Sequence, residues 1–118
     1  MYPNSLTIFG HDIDVKVFSD PIEVVGGDVV MAQYDPQTTT ISLMHNPDKP
    51  AVGGSNFIHE VIEAADCHGD LQLTHTQIST LASALYQAFT SGGVNFGRET
   101  EPRVVPSGQR VSMSCVLQ

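Results

Sequence analysis

The sequence predicts an α+β fold: a small antiparallel sheet of two hairpins, followed by a two-helix hairpin. Three observations predict it. Short apolar runs separated by turn residues fill the chain as far as Met44, apolar spacing then switches to a helical period, and a capping sequence opens a second helix at Thr74. A length of 118 residues bounds the chain to one domain, and an apolar fraction of 41 % suffices for one modest core.

Taken in order, Leu6–Phe9 and Ile13–Phe18 predict the first hairpin, with Gly10-His11-Asp12 as its turn. Asp20-Pro21 breaks the pattern, and Ile22–Val25 before Gly26-Gly27 reads as a loop or a short edge piece. Val29–Tyr34 and Thr39–Met44 predict the second hairpin around Asp35-Pro36-Gln37-Thr38. Proline presets φ there, and aspartate suits the position before it. The segment from His45 to Ser55, with Asn46-Pro47, Lys49-Pro50 and Gly53-Gly54, reads as the loop between sheet and helices.

The first helix is expected from Ser55 or Asn56 to Cys67, ended by His68-Gly69-Asp70 with Gly69 just past its last turn. Thr74-His75-Thr76-Gln77 fits the capping box that starts the second. Ile78, Leu81, Ala82, Leu85, Ala88 and Phe89 follow at helical spacing and read as core, and Ser91-Gly92-Gly93 ends the helix. Residues 1–91 make up the domain and 92–118 a tail. The tail is irregular from Gly97 to Gly108, with Pro102 and Pro106. The alternation of Val111, Met113, Cys115 and Leu117 offers a last strand, for this sheet or for a neighbouring subunit, with a poorly ordered tail as the equal alternative.

Composition excludes several function classes. Five basic residues against 13 acidic give a net charge of −8. No cluster of Lys and Arg is present to neutralise phosphates, so nucleic acid is not an expected partner. An anionic membrane surface is disfavoured for the same reason. The apolar runs fall far short of the ~18–20 residues of a membrane span. Met1–Ser5 lacks a basic stretch and an apolar one behind it, so no secretory signal is expected. Cys67 and Cys115 form neither a zinc-ribbon nor a disulfide pattern; two reduced thiols in a cytoplasmic protein are expected, the alternative being a single bridge that pins the C-terminal segment to the helix.

The chemistry concentrates in His59-Glu60-Val61-Ile62-Glu63, an HExxE motif within the first helix. Residues i and i+4 share a helical face, so His59 and Glu63 can grip one cation together. At about 100° per residue, His59, Glu60, Glu63, Asp66 and Cys67 fall on one arc, and Phe57, Ile58, Val61, Ile62, Ala64 and Ala65 on the other. The polar arc is expected to meet solvent, a metal or a cleft.

A zinc hydrolase needs three protein ligands, an open position for water, and a base beside that water. Glu60, one residue on from His59, is placed to serve as the base without ligating the ion. His75, at the start of the next helix after a short connection, is the strongest third ligand. The positive end of the helix dipole favours its neutral imidazole. Asp66 is the rival, either as a ligand or as a hydrogen-bond partner behind one. His68, Asp70 and His45 are weaker rivals, His45 as a substrate contact. His11 is read as a turn residue only.

These residues carry a resemblance. His59-Glu60-Val61-Ile62-Glu63-Ala64, then Leu71 and Leu73, His75, Ile78, Leu81 and Leu85-Tyr86-Gln87-Ala88-Phe89, resemble small phage- and prophage-encoded proteins with the pattern HE[IV]IEA, a short spacer, LxHxxI and a GLYQ-like segment. Those look like cut-down relatives of the ImmA/IrrE-type zinc metallopeptidases, with Glu63 where the second motif histidine stands and Ala84 where the GLYQ-like segment has glycine. The resemblance runs from about Leu6 to Phe89. It implies a minimal zincin-like fold, zinc held by His59, Glu63 and His75, and Glu60 as catalytic acid/base.

The leading expectation is therefore a phage-type zinc metallopeptidase. Zinc-bound water, deprotonated by Glu60, attacks a peptide carbonyl, and a sheet edge near Ile41-Ser42-Leu43 aligns the peptide or protein substrate. The alternative is a metal-binding interaction, regulatory or virion protein without turnover. A third reading has no metal, the acidic arc being solvated or docked on a basic partner. Self-association through the C-terminal segment belongs to the same set of expectations.

Overall fold

The computed structural model describes residues 2–20, 22–24, 29–96 and 110–111. Its class is the one the sequence predicts: a four-stranded sheet precedes two helices. The strands are β1 (Ser5–Ile8), β2 (His11–Phe18), β3 (Ile22–Val24), β4 (Val29–Val30), β5 (Ala32–Asp35) and β6 (Thr40–Met44); α1 (Pro50–Gly69) and α2 (His75–Ser91) follow, and β7 is Arg110–Val111.

The main sheet has the order β1-β2-β6-β5. β1/β2 and β5/β6 are the two hairpins, and they join through a parallel β2/β6 pair, so the sheet is mixed rather than wholly antiparallel. In the first hairpin the turn is Phe9-Gly10, both at positive φ, and His11 already begins β2. Two left-handed residues match the twist of the flanking strands, a task glycine performs without steric cost.

A second, smaller sheet has the order β4-β3-β7, with β3 antiparallel to β4 and parallel to β7. The run Ile22–Val25, read as loop or edge, is thus a strand over Ile22–Val24. The backbone at 110–111 is strand as well, but the rest of the alternating tail lies outside the described residues.

β6 hydrogen-bonds β2 on one side and β5 on the other, so Ile41-Ser42-Leu43 is an interior strand and not the sheet edge expected from the sequence. The edge next to it is β5.

Period-2 alternation sets the core. Ile13, Val15 and Val17 of β2, Tyr34 of β5 and Ile41 and Leu43 of β6 are buried in one cluster with Phe57, Ile58 and Ala64 of α1. Register aligns Val15 with Ile41, Val17 with Leu43 and Tyr34 with Ile41 across three strands. Each fully buried aliphatic side chain contributes about 1.5–3 kcal/mol, and α1 lies on this sheet as the second layer.

α1 begins at Pro50, five residues before the expected start, so Gly53 and Gly54 are helical. Proline fits a first helical turn, where its missing N–H has no partner to lose. The glycines permit close approach: a Cβ at Gly53 would lie 2.6 Å from His45 Nδ1, and one at Gly54 would press on the Tyr86 ring. At the other end the helix runs through Gly69, and Asp70 takes the left-handed cap (φ 50°), its N–H bonded to the Asp66 carbonyl.

α2 opens with the expected capping box. Thr74 Oγ1 accepts from the Gln77 N–H at 3.1 Å, and Gln77 Oε1 accepts from the Thr74 N–H at 2.8 Å. Its apolar stripe differs from expectation: Ile78 and Ala82 are buried, but Leu81, Leu85 and Phe89 are exposed. α2 packs on α1, and that contact covers only one of its faces.

Candidate metal centre

His59 and Glu63 stand one turn apart on α1, and His75 is the first residue of α2. The turn over residues 70–74 folds the start of α2 back across the polar arc of α1. The rings of His59 and His75 come to 5.2 Å between centroids, tilted by 59°. One ligand atom from each of His59, Glu63 and His75 lies within 4.8 Å of the other two. Ligand atoms around tetrahedral zinc sit roughly 3.3 Å apart, so side-chain rotations of roughly 1.5 Å close these three on one ion.

The polar arc is more buried than its composition implies. Glu63 is 1 % exposed, Glu60 5 % and Asp66 3 %. Neither carboxylate oxygen of Glu63 has a hydrogen-bond partner among the described residues. A buried, unpartnered carboxylate is costly when ionised. Burial, and then the neighbouring charge of Glu60, push its pKa from 4.5 up to about 7. His59 is held above the usual imidazole value, chiefly by its hydrogen bond to Glu60.

That bond runs from His59 Nδ1–H to Glu60 Oε2 at 3.2 Å and directs the other ring nitrogen, Nε2, away from Glu60. Glu60 Oε1 has no partner among the described residues. Glu60 thus orients a candidate ligand with one oxygen and keeps the other available.

Asp66 stands outside the three-residue cluster. Its Oδ1 accepts from the Leu73 N–H at 2.9 Å, and its carbonyl accepts from the Leu71 N–H at 3.3 Å. It fastens the turn that delivers His75. The weaker rivals lie elsewhere. His45 is buried and paired with the Tyr2 hydroxyl at 3.1 Å, and Asp70 caps α1.

His68 accepts from the Tyr34 hydroxyl and stacks on His11, ring centroids 3.9 Å apart. Sequence reasoning missed this group. Its members come from β2, β5 and the end of α1, and no local spacing links them. Cys67 is disulfide-bonded, which corrects the expectation of two reduced thiols and agrees with its alternative, a bridge. The chain's other cysteine, Cys115, lies outside the described residues. Among the described residues, no helix is long and apolar enough to cross a membrane.

The three side chains and the neighbouring Glu60 have the donor types of a three-ligand hydrolytic zinc site, in a two-layer α+β domain. No family model, curated protein or solved structure matches the chain.

Proposed function

We propose that this chain is a zinc-dependent metallopeptidase of a minimal, phage-type kind, with His59, Glu63 and His75 as the zinc ligands. The observation that carries the reading is Glu63: fully buried, both oxygens without a partner among the described residues, and flanked by two imidazoles. A divalent cation compensates such a group, and the resemblance of His59–Ala64 and the following segment to ImmA/IrrE-type metallopeptidases points the same way. Zinc held there polarises a carbonyl and acidifies water.

The chain's own residues supply the rest. Glu60 Oε1 accepts the proton that the attacking water gives up and returns one to the leaving amine. Glu60 Oε2 keeps the His59 ring in one tautomer. A location in the cytoplasm of a bacterial host goes with the phage-type reading.

One observation favours the second reading, a metal-binding interaction protein without turnover. Glu60 is engaged with His59 rather than standing free, as a carboxylate that only orients a ligand would be.

Metal analysis and a peptide-library digest test both. Zinc retained in Glu60→Gln but lost in His75→Ala supports the ligand set. Cleavage by the wild type that Glu60→Gln abolishes supports the peptidase, and zinc without cleavage supports the second reading. Zinc content indifferent to His59→Ala ends both.

A further inference from the structure

α2 presents a face that the described residues leave uncovered. Leu81 is 45 % exposed, Leu85 37 % and Phe89 44 %, and at intervals of four they form one ridge along the helix. Beside it runs the row Thr80, Ala84 and Ala88, also exposed and of small side chains. A ridge of large residues next to a groove of small ones, on one face, is self-complementary. The ridge of one copy fits the groove of another when two such helices cross at about 50°.

Charge says which partner suits it. None of the chain's 13 acidic and 5 basic residues falls between His75 and Ser91. Each molecule carries −8, and over this face the approach of two copies sets no carboxylate against another. A basic partner finds no charge here to pair with. The uncharged face is where two copies meet without repulsion.

We propose that the Leu81/Leu85/Phe89 face of α2 is a homodimer surface, two copies docking about a two-fold axis near Leu85. A two-fold contact uses the same patch twice, so the ridge and groove of one helix satisfy both halves. His75 lies ten residues from Leu85, about 15 Å along the helix, so the two candidate metal sites stay outside the contact. The proposal is independent of whether a metal binds.

Sedimentation velocity or light scattering of the full chain, with chelator and with added zinc, tests it. The expected mass is twice the chain's 12.7 kDa in both conditions. Leu85→Glu and Phe89→Ser are expected to weaken dimerisation by about 30-fold or more, as loss of a central apolar anchor does. Gln87→Glu, on the opposite side of α2, leaves it unchanged. Raising salt tightens the dimer by screening the repulsion between like-charged copies. A monomeric wild type overturns the proposal whether or not any variant folds. So does a dimer that survives Leu85→Glu with its helical signal intact, or one that salt dissociates.

Discussion

Asp66 Oδ1 accepts the backbone N–H of Leu73 at 2.9 Å, a bond that spans the α1–α2 turn and stops two residues short of His75. Asp70 and Gln72 within that turn hold positive φ (50° and 59°), a conformation that non-glycine residues keep only where their surroundings impose it. Asp66→Ala leaves the Leu73 N–H without its acceptor, at a cost of about 1–3 kcal/mol. It also loosens the placement of His75, with an expected loss of about 10–100-fold in zinc affinity. Asp66→Asn keeps an oxygen acceptor and is expected to restore both. Urea melts and zinc titration calorimetry on the two variants check this.

Glu63 gives the metal-free protein a defined pH dependence. Its pKa is about 7 in the folded chain against 4.5 unexposed to the fold, so the folded state binds this proton more tightly. The contribution to stability is fully present below pH 4.5, falls as pH rises, and is lost through about pH 7. Thermal melts in chelator are therefore expected to weaken across that window. Glu63→Gln, neutral at every pH, is expected to flatten the slope and to raise metal-free stability above pH 7. Added zinc raises the stability of the wild type and leaves Glu63→Gln unchanged.

His68 acts with the opposite sign. Burial, and then the adjacent His11, lower its pKa below 6.5, so the unfolded chain binds this proton more tightly. Its contribution is present above pH 6.5 and is lost as pH falls through the lowered folded value. Neutral His68 also accepts the Tyr34 hydroxyl, a bond that the protonated ring cannot accept. An NMR titration is expected to place His68 below 6.5. His11→Asn is expected to move it part of the way back, since burial, the larger cause, remains.

How far these features were legible depends on sequence separation. The HExxE helix and the Thr74 capping box rest on spacings of three and four residues, and both appear where periodicity puts them. The approach of His75 to Glu63 follows from a short connection between two helices. By contrast, the parallel β2/β6 pairing joins strands more than twenty residues apart. The Tyr34–His68–His11 group draws on three elements, and no local pattern encodes either. The α2 stripe was misread for a different reason. Helical periodicity reports that a face is apolar, but not how many neighbours the fold supplies to cover it.

Gly53 and Gly54 show the same limit most sharply. Glycine costs about 1 kcal/mol in a helix relative to alanine, so a glycine pair reads as a break, and alanine there would ordinarily stabilise. In α1 the reverse is expected. A Cβ at Gly53 meets His45 Nδ1 at 2.6 Å and the Tyr2 hydroxyl at 2.8 Å; one at Gly54 meets the Tyr86 ring and Phe96 Cβ, the latter at 3.0 Å. His45 and Tyr2 are buried and bonded to each other, so neither yields without giving up that contact. Gly53→Ala is expected to destabilise by about 1–3 kcal/mol, the usual cost of overpacking. Ser55→Ala, two residues on in the same helix and outside this contact, is expected to change stability by less than about 0.5 kcal/mol. Chemical denaturation of the two variants side by side decides whether the glycine pair breaks a helix or lets one pack.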